Sequence, residues 1–204
     1  MQDDLRAHVA QYLKLFPDET ERVAPLRAQL TEDGDSILLR SNMHGHLTSS
    51  TLILNAAGTH VLLIHHRVFD RWLPPGGHYE APGTPRESAW REVVEETGLP
   101  QSALAPHPLW PHETPLDIDT HPIPARPAKN EGAHRHHDLA FLAVADDSIA
   151  LRPQEDEVAA ARWVTLEEAS TLPSRRMQRL LHKFQALIDA KRDTVCGGFQ
   201  RRAT

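Results

Sequence analysis

The stretch that decides the fold is Gly76–Leu99, GGHYEAPGTPRESAWREVVEETGL. Its second half predicts a helix with both ends marked. Thr84 fits the N-cap, Pro85 the first helical position, and Glu87 the third, where an acid completes a capping box. Gly98 fits the left-handed position that closes a helix. Ala89, Val93, Trp90 and Val94 supply an apolar face. Glu92, Glu95 and Glu96 stand at i, i+3 and i+4, which puts three carboxylates on one side of the helix. Like charges so placed repel, and a hard divalent cation with oxygen ligands is a natural compensator, Mg²⁺ first and Mn²⁺ second. Arg91 lies four residues before Glu95 and can hold that carboxylate. The plain alternative is a solvated acidic face.

Working outward, Ser50–Asn55 and Val61–His65 flank a turn at Ala57-Gly58 and predict a β-hairpin. Beyond the helix, Ala105–His112, His136–Val144 and Arg162–Val164 are strand candidates. Pro115–Ala133, with four prolines, is expected to be a long irregular stretch. Ser174–Ile188 has the spacing of an amphipathic helix, and so do residues 3–16 and about 19–30. The order of strands and helices predicts an α/β (α+β) chain with a mixed sheet. We divide it into an N-terminal helical extension (1–40), a main domain (41–192) and a tail (193–204).

The 204 residues carry a formal net charge of −6, which argues against long nucleic acids as partners. A single cysteine, Cys196, excludes an internal disulfide and a thiolate zinc centre. The first residues lack the basic start and apolar run of a leader, and no stretch approaches membrane-spanning length. The expectation is a cytoplasmic protein without a membrane partner.

Gly77, Arg91, Glu92, Val93, Glu95, Glu96, Gly98 and Leu99 together resemble the Nudix box, a glycine followed at set spacing by Arg-Glu-aliphatic-any-Glu-Glu-any-Gly-aliphatic. One position departs: Gly83 stands where the family carries a glutamate, and Glu80 lies three residues early. RWLPPGGHYE and ARWVTLEEA extend the likeness over roughly residues 46–190. The resemblance implies the Nudix fold, a mixed β-sheet sandwiched between helices. It also implies a Mg²⁺-dependent hydrolase that cleaves the diphosphate linkage of a nucleoside diphosphate joined to another group, by attack of water on phosphorus. By that resemblance Glu92, Glu95 and Glu96 hold the metal, with a carbonyl of Gly76 or Gly77. Glu92, Glu95 and Arg91 serve catalysis. A later loop acid, Glu155, Asp156 or Glu157, is an alternative base. The partner is a small nucleotide-type diphosphate, and a homodimer is allowed for. The competing reading is a Nudix-type module that binds ligand without turnover, motivated by Gly83.

Two further patterns bear on substrate. Asp117, Asp119 and His121 alternate, and so do His134, His136 and Asp138. In extended backbone each set shares one face. We expect His134, His136 and Asp138 to line the substrate pocket; a second metal site and plain surface histidines are the alternatives. Trp72, Trp110 and Phe141 are the aromatic candidates for stacking on a base.

Overall fold

The computed structural model describes residues 2–111, 113–127, 130–154 and 156–200, with side chains over 5–192 within those ranges. Two helices open the chain, α1 (Gln2–Leu15) and α2 (Thr20–Glu32). Four strands follow: β1 (His46–Asn55), β2 (His60–His66), β3 (Arg71–Leu73) and β4 (Gly76–His78). Then come α3 (Pro85–Thr97), β5 (Ala105–Pro106), β6 (Asp117–Ile123), β7 (His134–Ala145) and β8 (Val158–Thr165). The chain ends with α4 (Leu166–Ser170) and α5 (Arg175–Gln200).

The eight strands form one mixed sheet. All ten residues of β1 are buried, which marks it as the central strand. On one side β1 runs parallel to β7, from His46↔His136 to Asn55↔Ala145. Its other side is shared: Thr48–Ser50 pair with β4, and Ile53–Leu54 with β2. β2 also pairs with β3 and β8, while β5 and β6 flank β7 antiparallel.

Residues directly opposite one another across strands share a face of the sheet. One face therefore carries His46, Thr48 and Ser50 with His78, His136, Asp138, Asp119 and His121. It is covered by α5. The other face carries Ser49, Gly77, Ile118 and Leu139 and is covered by α3 and by the N-terminal helices. Trp90 and Val93 of α3 pack with Ile53, Leu62 and Ala143. Leu180 and Phe184 of α5 pack with Leu52, Leu63 and Leu142.

The N-terminal helices are part of the core. Leu5, Val9 and Tyr12 of α1, and Val23, Leu26 and Leu30 of α2, bury against Leu47, Ile118, Leu139 and Phe141. An ion network ties them to the far end of the chain. Asp117 has no exposed side-chain surface, and it accepts from Arg22 (2.9 Å), Lys183 (2.7 Å) and Arg179 (2.8 Å). Lys183 also reaches the Tyr12 hydroxyl at 2.5 Å and Glu19 at 2.9 Å. Burial alone would push the Asp117 carboxyl up, yet these three cations hold it below the usual range.

Three expectations need correction. The stretch 115–133 is not irregular throughout, because β6 occupies Asp117–Ile123 and pairs with β7 over seven residues. Its Pro122 is compatible with a strand since β6 lies outside β7, where a missing N–H is tolerated. Among the described residues of the expected strand Ala105–His112, only the two of β5 are extended in the sheet, and His112 lies outside the described residues. The last helix runs beyond Ile188 to Gln200, for no glycine or proline interrupts it before Gly197; residues 201–204 lie outside the described residues.

If α1 and α2 share the main core, damage to them must be felt by the whole domain. Leu26 is fully buried. Leu26→Ala should lower unfolding free energy by about 2–5 kcal/mol within a single denaturant transition. A second, separate transition would show instead that the extension folds independently.

Candidate active site

α3 is positioned as its sequence requires. Thr84 Oγ1 accepts from the Glu87 N–H at 3.1 Å while the Glu87 carboxylate accepts from the Thr84 N–H at 2.7 Å. Gly98 closes the helix at φ 72°, its N–H bonded to Val94 O at 2.9 Å. With Trp90 and Val93 anchored in the core, Glu92 and Glu96 are carried onto the back of β4.

Gly77 makes this approach possible, and Gly76 lets β4 lie close to β1. A Cβ on Gly77 would collide with the Glu92 carboxylate, and one on Gly76 would collide with the backbone at Ser49–Ser50. The Gly76 N–H donates to Glu96 Oε2 at 2.8 Å. Glu96 is only 4% exposed. Burial pushes its carboxyl up to about 8, opposed by the Gly76 hydrogen bond and reinforced by Glu92, Glu157 and Glu95. Burial also raises Glu92, against the pull of Arg91. Glu95 is the outer member, about half exposed.

Arg91 ties the group together. Its guanidinium donates to Glu95 at 2.7 Å, to Glu92 at 2.8 Å and to the carbonyl of His78 at 3.2 Å. Glu80, the acid that lies early in the sequence pattern, approaches Arg91 at 3.6 Å. Gly83 sits at φ 156°, where any side chain would be strained, and its carbonyl accepts from the Tyr79 hydroxyl at 2.7 Å. Of the later loop acids, Glu157 lies close enough for its charge to raise both Glu92 and Glu96. Glu155 lies outside the described residues.

One buried and one half-buried carboxyl, with two further acids near them and one guanidinium, place more acid than base in a spot short of water. Oxygen donors of this kind suit a hard divalent cation.

The opposite side of β4 faces the histidines. His134 and His136 meet His46, with ring centroids 4.7 and 4.8 Å away, and His78 lies 5.1 Å from His46. Burial and then the neighbouring imidazoles push His136 down to about 2; burial and then Arg40 push His78 down to about 4. Asp138 is buried. It accepts from Thr48 Oγ1 (3.0 Å) and Ser50 Oγ (2.9 Å), and it pairs with Arg176 of α5. Arg176 Nη2 also meets Ser50 Oγ at 2.6 Å, while its Nε is buried without a partner.

Asp117 does not join the histidines, whereas Asp119 reaches them through His121, whose ring lies 5.7 Å from His136. Both acids are held by Arg179, and Asp119 also by His121 at 3.1 Å. Phe141 and Trp110 are core residues, the latter donating its indole N–H to Thr114 O at 2.7 Å. Trp72 lies beneath Arg162, 4.4 Å from its guanidinium. Sequence reasoning passed over Arg176, Arg179 and Lys183. The signal was present, since positions 176, 179 and 183 recur at helical spacing on one face of α5.

The NUDIX domain model matches residues 45–184. A probable DHNTP pyrophosphohydrolase of Lactococcus lactis subsp. cremoris is 29% identical over 129 residues, covering 63% of this chain and 69% of that protein. The fold is similar to that of a Caenorhabditis elegans Ap4A hydrolase in a binary complex (TM-score 0.53, 22% identity, 71% of this chain and 98% of that one). It is likewise similar to the Escherichia coli dihydroneopterin triphosphate pyrophosphohydrolase (TM-score 0.53, 18% identity, 68% and 93%). With the box residues in register and the family model spanning most of the chain, the protein belongs to the NUDIX family and is a hydrolase of diphosphate bonds.

Proposed function

We propose that this chain is a divalent-metal-dependent pyrophosphohydrolase acting on a small nucleotide-type diphosphate. The observation that carries the reading is the Glu92–Glu96 pair, Glu96 buried against Gly76 and Glu92 half-buried against Gly77, with more carboxylate than cation around it. Glu92, Glu95 and Glu96 would hold Mg²⁺ or Mn²⁺, with a carbonyl of Gly76 or Gly77 as a further ligand. When bound, the metal neutralises phosphate charge and polarises the phosphorus–oxygen bonds.

The chain's own groups supply the rest. Arg91 keeps Glu92 and Glu95 aimed and balances their charge. Glu92, or Glu157 from the loop before β8, takes the proton from the attacking water. On the other side of β4, His134, His136 and Asp138 form the wall of the substrate pocket, and Asp138 acts by holding Arg176. The buried Nε of Arg176 is a donor in want of an acceptor, suited to a phosphate oxygen. The relative named for DHNTP makes dihydroneopterin triphosphate the first compound to test. A panel of diphosphates with Mg²⁺, read as phosphate release after a phosphatase step, tests the reading. Inactivity on all of them, with binding retained, would favour a ligand-binding module instead.

Glu96→Gln keeps the shape and the acceptor for Gly76 but removes a ligand charge. It should cut kcat by about a hundredfold or more, ~2.7 kcal/mol of barrier; normal turnover and metal dependence would overturn the assignment. The same variant gives a stability signature. A carboxyl whose folded pKa is raised, here from 4.5 to about 8, binds more protons folded than unfolded between those values. Without metal, Glu96 therefore lowers wild-type stability progressively as pH rises through that window. Chemical denaturation should find Glu96→Gln gaining on wild type between pH 5 and pH 8 (~4 kcal/mol is an upper bound for about three units), and a constant difference would contradict this. For Arg176→Lys we expect KM to rise about tenfold (~1.4 kcal/mol) with kcat changed less. An unchanged KM on every active substrate would remove Arg176 from the pocket.

A further inference from the structure

The histidines behind β4 form a second centre unlike the glutamate cluster. One ring nitrogen from each of His46, His134 and His136 can be chosen so that all three lie within 4.8 Å of one another. His46 comes from β1, and the other two come from β7, in the register His46↔His136. His134 Nε2 and His136 Nε2 are 3.2 Å apart.

The tautomers can be assigned from the partners. His46 Nδ1 lies 3.1 Å from Asn42 O, and His134 Nδ1 lies 2.8 Å from Gly132 O. A carbonyl oxygen only accepts, so in both rings Nδ1 carries the hydrogen and Nε2 carries a lone pair. Those two bonds also fix how the rings turn. His46 is 1% exposed and its Nε2 has no hydrogen-bond partner. His134 Nε2, left with its lone pair, accepts from His136 Nε2–H at 3.2 Å, while the buried Nε2 of His46 is an acceptor without a donor; on metal binding the His136 hydrogen moves to Nδ1 of that ring and frees its Nε2. Rings fixed by Nδ1–H···O=C bonds that leave Nε2 free are the arrangement by which proteins present imidazole to a metal.

We propose that His46, His134 and His136 bind a divalent first-row transition metal of the zinc class, at a site separate from Glu92, Glu95 and Glu96. Three neutral imidazoles suit Zn²⁺ and are poor ligands for Mg²⁺, which demands oxygen. They leave a fourth position open to water, to an anionic oxygen or to His78, whose ring lies 5.1 Å from His46 and 5.3 Å from His136. His121 is an alternative fourth ligand: its Nδ1 is held by Asp119 at 3.1 Å, which leaves Nε2 with a lone pair, and its ring lies 5.7 Å from His136. The two centres sit on opposite faces of β4: Gly77 meets Glu92, whereas the ring of His78 meets His46.

Co²⁺ is the probe, because its visible ligand-field absorption is strong in four-coordinate nitrogen sites and weak in six-coordinate oxygen sites. The full-length chain, stripped of metal by chelation, is titrated with Co²⁺ in excess Mg²⁺. The expected result is one equivalent of strongly absorbing Co²⁺, displaced by one equivalent of Zn²⁺. His136→Gln and His46→Gln should each weaken binding at least tenfold, and Glu96→Gln should leave it within twofold. X-ray absorption of the Zn²⁺-loaded wild type, which needs no variant to fold, should show three or four imidazoles and no sulfur. A weak, oxygen-type spectrum, a sulfur shell from Cys196, or binding that survives His136→Gln and is lost in Glu96→Gln would overturn the assignment.

Discussion

Everything at the proposed catalytic centre depends on how closely α3 approaches β4. The Gly76 N–H bonded to the Glu96 carboxylate is the sign of that approach. Gly77 leaves the space for Glu92, Gly76 lets β4 lie close to β1, and the apolar side of α3, packed on Ile53, Leu62 and Ala143, holds the helix in place. The same packing removes water from Glu96 and makes its charge expensive. Burial, glycine and carboxylate are thus one constraint with three consequences. A loosely held acidic helix would carry the same residues with ordinary acidity and little reason to prefer a metal over solvent.

β4 is only three residues long, yet it divides the chemistry. Its Gly77 meets an acid and its His78 meets imidazoles, because successive residues of a strand point to opposite faces. Hard oxygen donors gather on one side and softer nitrogen donors on the other. Arg91 spans the boundary, bonding Glu92 and Glu95 with two arms and the carbonyl of His78 with one. α5 then covers the histidine-bearing face and brings Arg176 to Asp138 and Arg179 to Asp117 and Asp119.

Much of this was legible in the sequence, and the reason is locality. The capping box of Thr84 and Glu87, the closing Gly98 and the hairpin around Gly58 are each set by residues close along the chain. What escaped was set by distance. Pro122 and its acidic neighbours read as a loop until β7 supplied a partner that makes β6 an outer strand. The N-terminal helices read as an appendage, because nothing in residues 1–40 discloses that Tyr12 and Arg22 will meet Asp117 and Lys183. His46 showed no pattern of its own; its register against His136 gives it company. The alternation of His134, His136 and Asp138 placed them on one face, but the carbonyls of Asn42 and Gly132 that fix the rings come from loops without a signature.

The central claim is that the carboxylates behind Gly76 and Gly77 hold the divalent metal. Anomalous diffraction from a crystal of the wild-type chain soaked in Mn²⁺ tests it most directly. The account predicts an anomalous peak bonded to Glu92 and Glu96 at roughly 2.0–2.3 Å, in the range of hard-cation oxygen bonds, and lost from a Glu96→Gln crystal. A Mn²⁺ peak found only among the histidines, or no peak beside Glu92 and Glu96 at saturating metal, would contradict it.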